Sequence, residues 1–177
     1  MQVRKQSGFT LVEVIVVAGI IAILAGILVP LILKEIDEAR ISRAAADVRS
    51  ISNALIILKK DTGQWPITAT CGTANTLLQG QGALPTIVGT GWTTTTPDQY
   101  DNYLMVDDNG CWPVKWKGPY LAGVNADPWG NAYITNADNF LAASGAVWII
   151  SAGPDGVIDT SVTNSTIVGD DVGARIR

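Results

Sequence analysis

Histidine is absent from the 177-residue sequence, and its absence narrows the chemistry open to the chain. Histidine is the usual general base of enzymes and the commonest zinc ligand. Only two cysteines are present, Cys71 and Cys111, which are too few and too far apart for a zinc cluster. Asp107 and Asp108 are consecutive in a polar loop, which indicates solvated acids, and no glycine-rich phosphate loop follows a strand. The sequence therefore predicts a protein that is not an enzyme.

Basic residues are also scarce. Lysine and arginine number 12 against 16 acidic residues, which gives a net charge of −4. Nucleic-acid binding depends on clustered cations that neutralise phosphates, so we expect no nucleic-acid partner. A chain of this length has room for one membrane helix and one modest globular domain.

The longest uncharged run lies near the N-terminus, over residues 14–33. A helix of this length can cross about 30 Å of hydrocarbon at roughly 1.5 Å per residue. Two cations, Arg4 and Lys5, precede Gly8, and Glu13 stands at the start of the apolar segment. A secretory signal peptide has a shorter apolar region of about 7–15 residues and a small-residue cleavage site, which this run lacks. A plain membrane anchor fits the length but leaves the carboxylate of Glu13 without a partner, at a cost of about 2.5–3.5 kcal/mol.

Residues 8–13, Gly-Phe-Thr-Leu-Val-Glu, resemble the type III signal of the type IV pilin superfamily. The resemblance implies cleavage by a prepilin peptidase between Gly8 and Phe9 and N-methylation of Phe9. It also implies that Glu13 pairs with the amino terminus of a neighbouring subunit during filament assembly. Loss of the leader, residues 1–8, removes two cations and leaves a net charge of −6.

One long helix is predicted from Phe9 to about Lys60, with a transmembrane half (residues 9–33) and an amphipathic half (residues 34–61). In the second half, apolar residues recur at steps of three and four, which is typical of a helix lying on a globular core. These residues are Ile41, Ala44, Ala45, Val48, Ile51, Leu55 and Leu58. Gly63 and Pro66 follow and are expected to stop the helix. Pro30 predicts a kink or a locally unwound stretch between Gly26 and Pro30.

The globular domain is assigned to residues 62–177. In an exported chain, the pair Cys71 and Cys111 indicates a disulfide, and two free thiols are the alternative. In the chain-entropy model, a disulfide that closes a loop of this length stabilises the folded domain by roughly 4 kcal/mol. The segment between the cysteines has little periodicity; we expect surface loops over residues 93–96 and 98–108 and a short helix near residues 73–79.

Two apolar segments are expected to form antiparallel strands, Tyr133–Thr135 and Val147–Ser151, which pack across the helix stripe. The expected fold class is α+β, with the long helix on a small antiparallel sheet. Residues 61–63, 116–121, 127–134 and 146–151 resemble the major pseudopilins of type II secretion systems. The segment between the cysteines departs from that family.

Acidic residues and glycines alternate towards the C-terminus, a composition that suits the oxygen-rich coordination of calcium. The spacing does not match an EF-hand, and a solvated acidic turn is the alternative. The resemblance to major pseudopilins implies one structural Ca²⁺, held by Asp155, by Asp170 or Asp171, and by the carbonyl of Ala152. Asp159 is a further candidate in a loop longer than the family's.

The function implied by the resemblance is that of a structural filament subunit, with a major pseudopilin preferred. The expected partners are further copies of the chain, the prepilin peptidase, an inner-membrane assembly platform and minor pilins or pseudopilins. The expected location is the inner membrane before assembly and a periplasmic or surface filament afterwards. Two alternatives remain open: the major pilin of a type IV pilus, and a membrane-tethered binding domain that does not polymerise.

Overall fold

A computed structural model describes residues 8–66, 75–107, 110–112, 114–142 and 145–177. The chain divides into two compact units, one that runs to Ala39 and one from Arg40 to Arg177. The long helix α1, Leu11–Thr62, contributes to both units. The predicted α+β fold class is confirmed.

In the first unit, every described side chain is exposed. Most of these side chains are aliphatic, and this part of α1 is long and apolar enough to cross a membrane. The helix is continuous through Pro30, so the local unwinding expected between Gly26 and Pro30 is wrong for this structure. Pro30 lacks a backbone N–H and so removes one donor, but this does not end the helix. A kink at Pro30 stays a prediction.

In the second unit, α1 buries one stripe, and the predicted stripe is confirmed at most positions. The buried residues are Ala44, Val48, Ile51, Ala54, Leu55, Leu58 and Thr62. Ile41 is wrongly included in the prediction, since its side chain remains 44 % exposed. The helix ends where predicted: Gly63 takes a positive φ of 79°, and its N–H donates to the carbonyl of Lys59 at 2.9 Å. Glycine reaches this conformation without steric cost.

The second unit contains the strands β1 Leu77–Gln79, β2 Thr86–Ile87, β3 Pro97–Gln99, β4 Ile134–Asn136, β5 Trp148–Ser151, β6 Val157–Ile158 and β7 Val172–Arg175. Five of them form one sheet in the order β3-β1-β4-β5-β7. The predicted antiparallel pair is confirmed as β4 and β5. The sheet is mixed, however, because β1 pairs in parallel with β3. Strands β2 and β6 form a separate parallel pair.

The segment after the first cysteine is more ordered than predicted. The short helix expected near residues 73–79 is wrong, since residues 77–79 form β1, between β3 and β4. The surface loop expected over residues 98–108 contains most of β3 and the helix α2, Asp101–Leu104. Tyr100 and Leu104 are fully buried. These elements have three or four residues, too few to show a periodic pattern in the sequence.

The main core joins the stripe of α1 to one face of the sheet. Leu55 and Leu58 of the helix meet Leu78, Tyr133 and Ile149 of the sheet side. Full burial of a leucine contributes about 1.5–3 kcal/mol. A smaller cluster on the other side contains Leu77, Ala132, Ile134, Ile150, Ala152 and Ile158. This second cluster supports the C-terminal loops described below.

Candidate assembly and cation sites

The first candidate site is the start of α1, where Thr10 and Glu13 form a reciprocal pair. The N–H and the hydroxyl of Thr10 each donate to Oε2 of Glu13 at 2.8 Å. The N–H of Glu13 donates to Oγ1 of Thr10 at 3.3 Å. This arrangement is a capping box, which satisfies backbone donors that a helix start leaves without partners. The Thr-x-x-Glu spacing is readable in the sequence, and our sequence analysis missed it.

Gly8 and Phe9 precede the helix in exposed, non-helical backbone. The side chain of Phe9 is 89 % exposed. Exposed backbone outside regular secondary structure is where proteolysis concentrates, so the exposure of Gly8 and Phe9 is compatible with cleavage between them. Cleavage at this bond stays a prediction.

The second candidate site is a cluster of three carboxylates in the C-terminal loops. One oxygen each of Asp155, Asp159 and Asp170 lies within 4.8 Å of the others. Strand register brings them together: β5 and β7 are antiparallel and Ser151 pairs with Val172, so residues after β5 meet residues before β7. The N–H of Asp155 donates to Oδ2 of Asp170 at 3.3 Å.

Gly153 is the turn on which this approach depends. Its φ is +65°, and an added Cβ would overlap the carbonyl oxygen of Asp170. The neighbouring Ala152 is fully buried at the end of β5. Its carbonyl as a cation ligand stays a prediction.

Asp171 has a different role from the three clustered acids. It is only 7 % exposed, and its Oδ2 accepts the N–H groups of Asp159 at 3.0 Å and Thr160 at 2.8 Å. Its Oδ1 is buried without a hydrogen-bond partner among the described residues. Burial raises the pKa of the Asp171 carboxyl above its usual range. Asp171 therefore holds the backbone of residues 159–160 in place.

The donor set fits a hard divalent cation. Two unit charges 4.8 Å apart repel by about 0.9 kcal/mol in water, and three carboxylates make three such pairs. A cation between them converts this repulsion into attraction, and calcium accepts flexible sets of carboxylate and carbonyl oxygens. The orphaned oxygen of Asp171 in the same loop is a further acceptor in need of a partner.

Cys111 is disulfide-bonded, while its predicted partner Cys71 lies outside the described residues. The expectation that Asp107 is a solvated loop acid is wrong. Its carboxylate accepts the N–H groups of Cys111 and Trp112, each at 2.9 Å. The carboxylate of Asp107 therefore holds the backbone at Cys111 and Trp112 in a local turn.

Comparison with known proteins places these features in a family. Residues 3–29 match the model of the prokaryotic N-terminal methylation motif, and residues 92–170 match type II secretion system (T2SS), protein G. The chain is 32% identical to type II secretion system core protein G of Pseudomonas aeruginosa, over 88% of the chain and 89% of the relative. The protein of the same name from Escherichia coli K12 is 32% identical, over 90% and 91%. That of Vibrio cholerae is 32% identical, over 88% and 85%. No solved structure matches the chain.

Proposed function

The chain belongs to the type II secretion system protein G family, and on that premise we propose that it is the major pseudopilin of a secretion filament. The observation that carries this function is the union, in one chain, of the methylation motif and the protein G region. The family is a structural one, and its members assemble with other pseudopilins. The resemblance seen in the sequence is thereby confirmed, and the preference for a pseudopilin over a surface pilin rests on the same relatives.

We propose the following division of labour along the chain. Residues 1–8 are the leader that the prepilin peptidase removes. Residues 9–33 anchor the subunit in the inner membrane and then pack against other helices in a periplasmic filament; the exposed aliphatic surface of the first unit supports this role. Residues 34–61 are the amphipathic half of the helix, and the buried stripe from Ala44 to Leu58 supports packing of its later turns on the domain of residues 62–177.

Glu13 is the proposed assembly residue. Its Oε2 is held at the helix start by Thr10, so the charge faces the region where helix N–H groups favour an anion. Cleavage before Phe9 creates a positive amino group four residues from this acid. Pairing between Glu13 of one subunit and the amino group of a neighbour offsets the cost of a carboxylate in hydrocarbon. An inner-membrane assembly platform and minor pseudopilins are the other proposed partners.

A pair of variants tests this assembly role. Glu13→Val removes both the charge and the cap acceptor, while Glu13→Gln keeps an acceptor for Thr10 and removes only the charge. If the charge pairs with a neighbour, both variants insert in the membrane but lose filaments in a cross-linking assay. Filaments at wild-type yield from Glu13→Gln would refute charge pairing. Intact Met1 in mass spectra of wild-type filaments would contradict the pilin-type function itself.

We further propose that the three-carboxylate cluster binds one structural calcium ion, with Asp155, Asp159 and Asp170 as carboxylate ligands. The distances within the cluster and the unpartnered oxygen of Asp171 support this proposal. A ligand that binds only the folded state raises the free energy of unfolding by about 2.7 kcal/mol when its concentration is a hundred times its dissociation constant. The purified chain in detergent should therefore melt higher in millimolar calcium than in chelator, and magnesium should replace calcium poorly.

Asp155→Ala should abolish the calcium-dependent shift in melting temperature. Glu38→Ala is the matched control, because Glu38 is an exposed acid on α1 outside the cluster. Identical melting curves with and without calcium for the wild-type chain would contradict the calcium site and favour the alternative, a solvated acidic turn.

A further inference from the structure

Residues 86–92, here called the bracing segment, lie against residues 156–162 about seventy positions later. Thr86 pairs with Val157 and Ile87 with Ile158 in the parallel ladder of β2 and β6. Beyond the ladder, the N–H groups of Val88 and Gly89 both donate to the carbonyl of Ile158, at 3.0 and 2.9 Å. This backbone contact ends one residue before Asp159 of the cluster.

The contact continues through the next residues of both segments. The N–H of Thr90 donates to Oγ of Ser161 at 2.9 Å, and the N–H of Val162 donates to the carbonyl of Thr90 at 3.0 Å. The indole Nε1–H of Trp92 donates to the carbonyl of Thr160 at 2.8 Å. The bracing segment therefore fixes the backbone on both sides of Asp159.

Thr160 connects the bracing segment to the acids. It is fully buried, and its N–H donates to Oδ2 of Asp171 at 2.8 Å. Its Oγ1 accepts the N–H of Val168 at 3.0 Å, and its carbonyl accepts the indole of Trp92. One residue thus joins three parts of the chain around the cluster.

Gly89 shows how closely the two segments approach. A Cβ added there would overlap the backbone carbonyl of Thr160, which cannot move without disturbing its neighbours. Ile87 and Trp92 also pack against the smaller hydrophobic cluster that contains Ile158. Through these two partly buried side chains, the bracing segment contacts the core as well as the acidic loop, the name used here for residues 152–171 between β5 and β7.

We propose that the bracing segment positions the acidic loop for its cation, so that calcium affinity depends on residues that do not touch the ion. This inference rests on the proposed calcium site. The physical reason is preorganisation: a loop already held in the binding conformation loses less conformational freedom when the ion arrives. Trp92, Gly89 and Ser161 are positioning residues in this sense.

The main test compares two tryptophans in the full chain in detergent. Trp92→Phe keeps an aromatic ring, although a smaller one, and removes the indole donor to Thr160. Trp116→Phe is the matched control, since its Nε1 donates to the carbonyl of Tyr103 at 2.9 Å, outside the bracing segment and the acidic loop. Calcium affinity is measured by titration calorimetry. Hydrogen exchange of residues 157–162 is measured in chelator.

Loss of one hydrogen bond changes an equilibrium by about threefold to tenfold. We expect Trp92→Phe to weaken calcium binding by about this factor and to speed exchange at Thr160 and Val162, with Trp116→Phe within twofold of the wild type. Ser161→Ala, a milder change at the edge of the contact, should act in the same direction. If Trp92→Phe fails to fold, Ser161→Ala replaces it as the test of the bracing role.

Equal affinity of Trp92→Phe and the wild type overturns the bracing role while leaving the calcium site intact. Equal weakening by both tryptophan variants also overturns it, because the effect is then general loss of stability. If the wild-type chain binds no calcium, the calcium proposal is wrong and the coupling fails with it. In that case, faster exchange of Thr160 and Val162 in Trp92→Phe than in the wild type would still show that the bracing segment holds the loop.

Discussion

Replacement of Asp159 by asparagine is expected to shift the stability of the chain in opposite directions without and with calcium. Asp159 is the best choice among the clustered acids. Its backbone N–H, not its carboxylate, makes the bond to Oδ2 of Asp171, so asparagine leaves that bond in place. By contrast, Asp155 and Asp170 accept backbone N–H groups with their side chains.

In chelator, the variant removes two of the three repulsive pairs in the cluster. Each pair of charges 4.8 Å apart costs about 0.9 kcal/mol in water, and a screening length of about 8 Å at physiological salt reduces the total for two pairs to about 1 kcal/mol. For a chain of this size, that gain raises the melting temperature by about 3 °C. In calcium, the variant lacks one charged ligand of the proposed site. A hundredfold weaker affinity removes about 2.7 kcal/mol of calcium-linked stabilisation and outweighs the gain.

The assay is thermal unfolding of the wild type and the variant, in chelator and in millimolar calcium, at low and physiological salt. The gain in chelator should shrink as salt increases, because screening weakens the repulsion. Glu38→Gln, on the exposed surface of α1, should change neither curve. A variant that melts lower than the wild type in both buffers would refute the reasoning, since the carboxylate of Asp159 would then be a structural partner.

Three further predictions concern the core and the turns. Leu58→Ala should lower the free energy of unfolding by about 2–5 kcal/mol in urea titrations, against under 1 kcal/mol for the half-exposed Ile57→Ala; similar losses would place the core elsewhere. Burial raises the pKa of Tyr100 above its ordinary value of 10.0, so the unfolded chain loses this proton first and stability should fall as pH rises above 10. Tyr100→Phe should make that alkaline decline shallower by up to about 1.4 kcal/mol per pH unit, and an unchanged slope would contradict burial of the hydroxyl. Gly153→Ala should cost more than about 1 kcal/mol and abolish calcium binding, because its Cβ meets the carbonyl of Asp170; normal binding would show that the turn is not required.

The sequence predicted the parts of the fold whose signals are long or local. The helix stripe spans five turns, so its period of three to four is unmistakable, and Gly63 marks the end. The strands β4 and β5 were found because turn formers flank apolar segments. Strand β1 was missed because a three-residue element carries no period, and its place in the sheet is decided by partners twenty and nearly sixty residues away.

The sequence named the acids of the three-carboxylate cluster as candidates but did not distinguish their positions in the structure. Composition and resemblance named Asp155, Asp159, Asp170 and Asp171 together. The structure shows that three of these acids lie close together, whereas Asp171 accepts backbone N–H groups and supports the loop. The bracing contact of Trp92 was not foreseen at all, because a hydrogen bond across sixty-eight residues leaves no trace in a single sequence.

The placement of β7 beside β5 has a consequence for the newly made chain. Strand β5 is fully buried, with β4 on one side and β7 on the other, and the acidic loop connects it to β7. Until β7 pairs with β5, one edge of β5 has unpaired backbone N–H and C=O groups. Another chain can add a strand at such an edge. Variants that loosen the acidic loop are therefore expected to increase aggregation of the newly made chain before they reduce the yield of filaments.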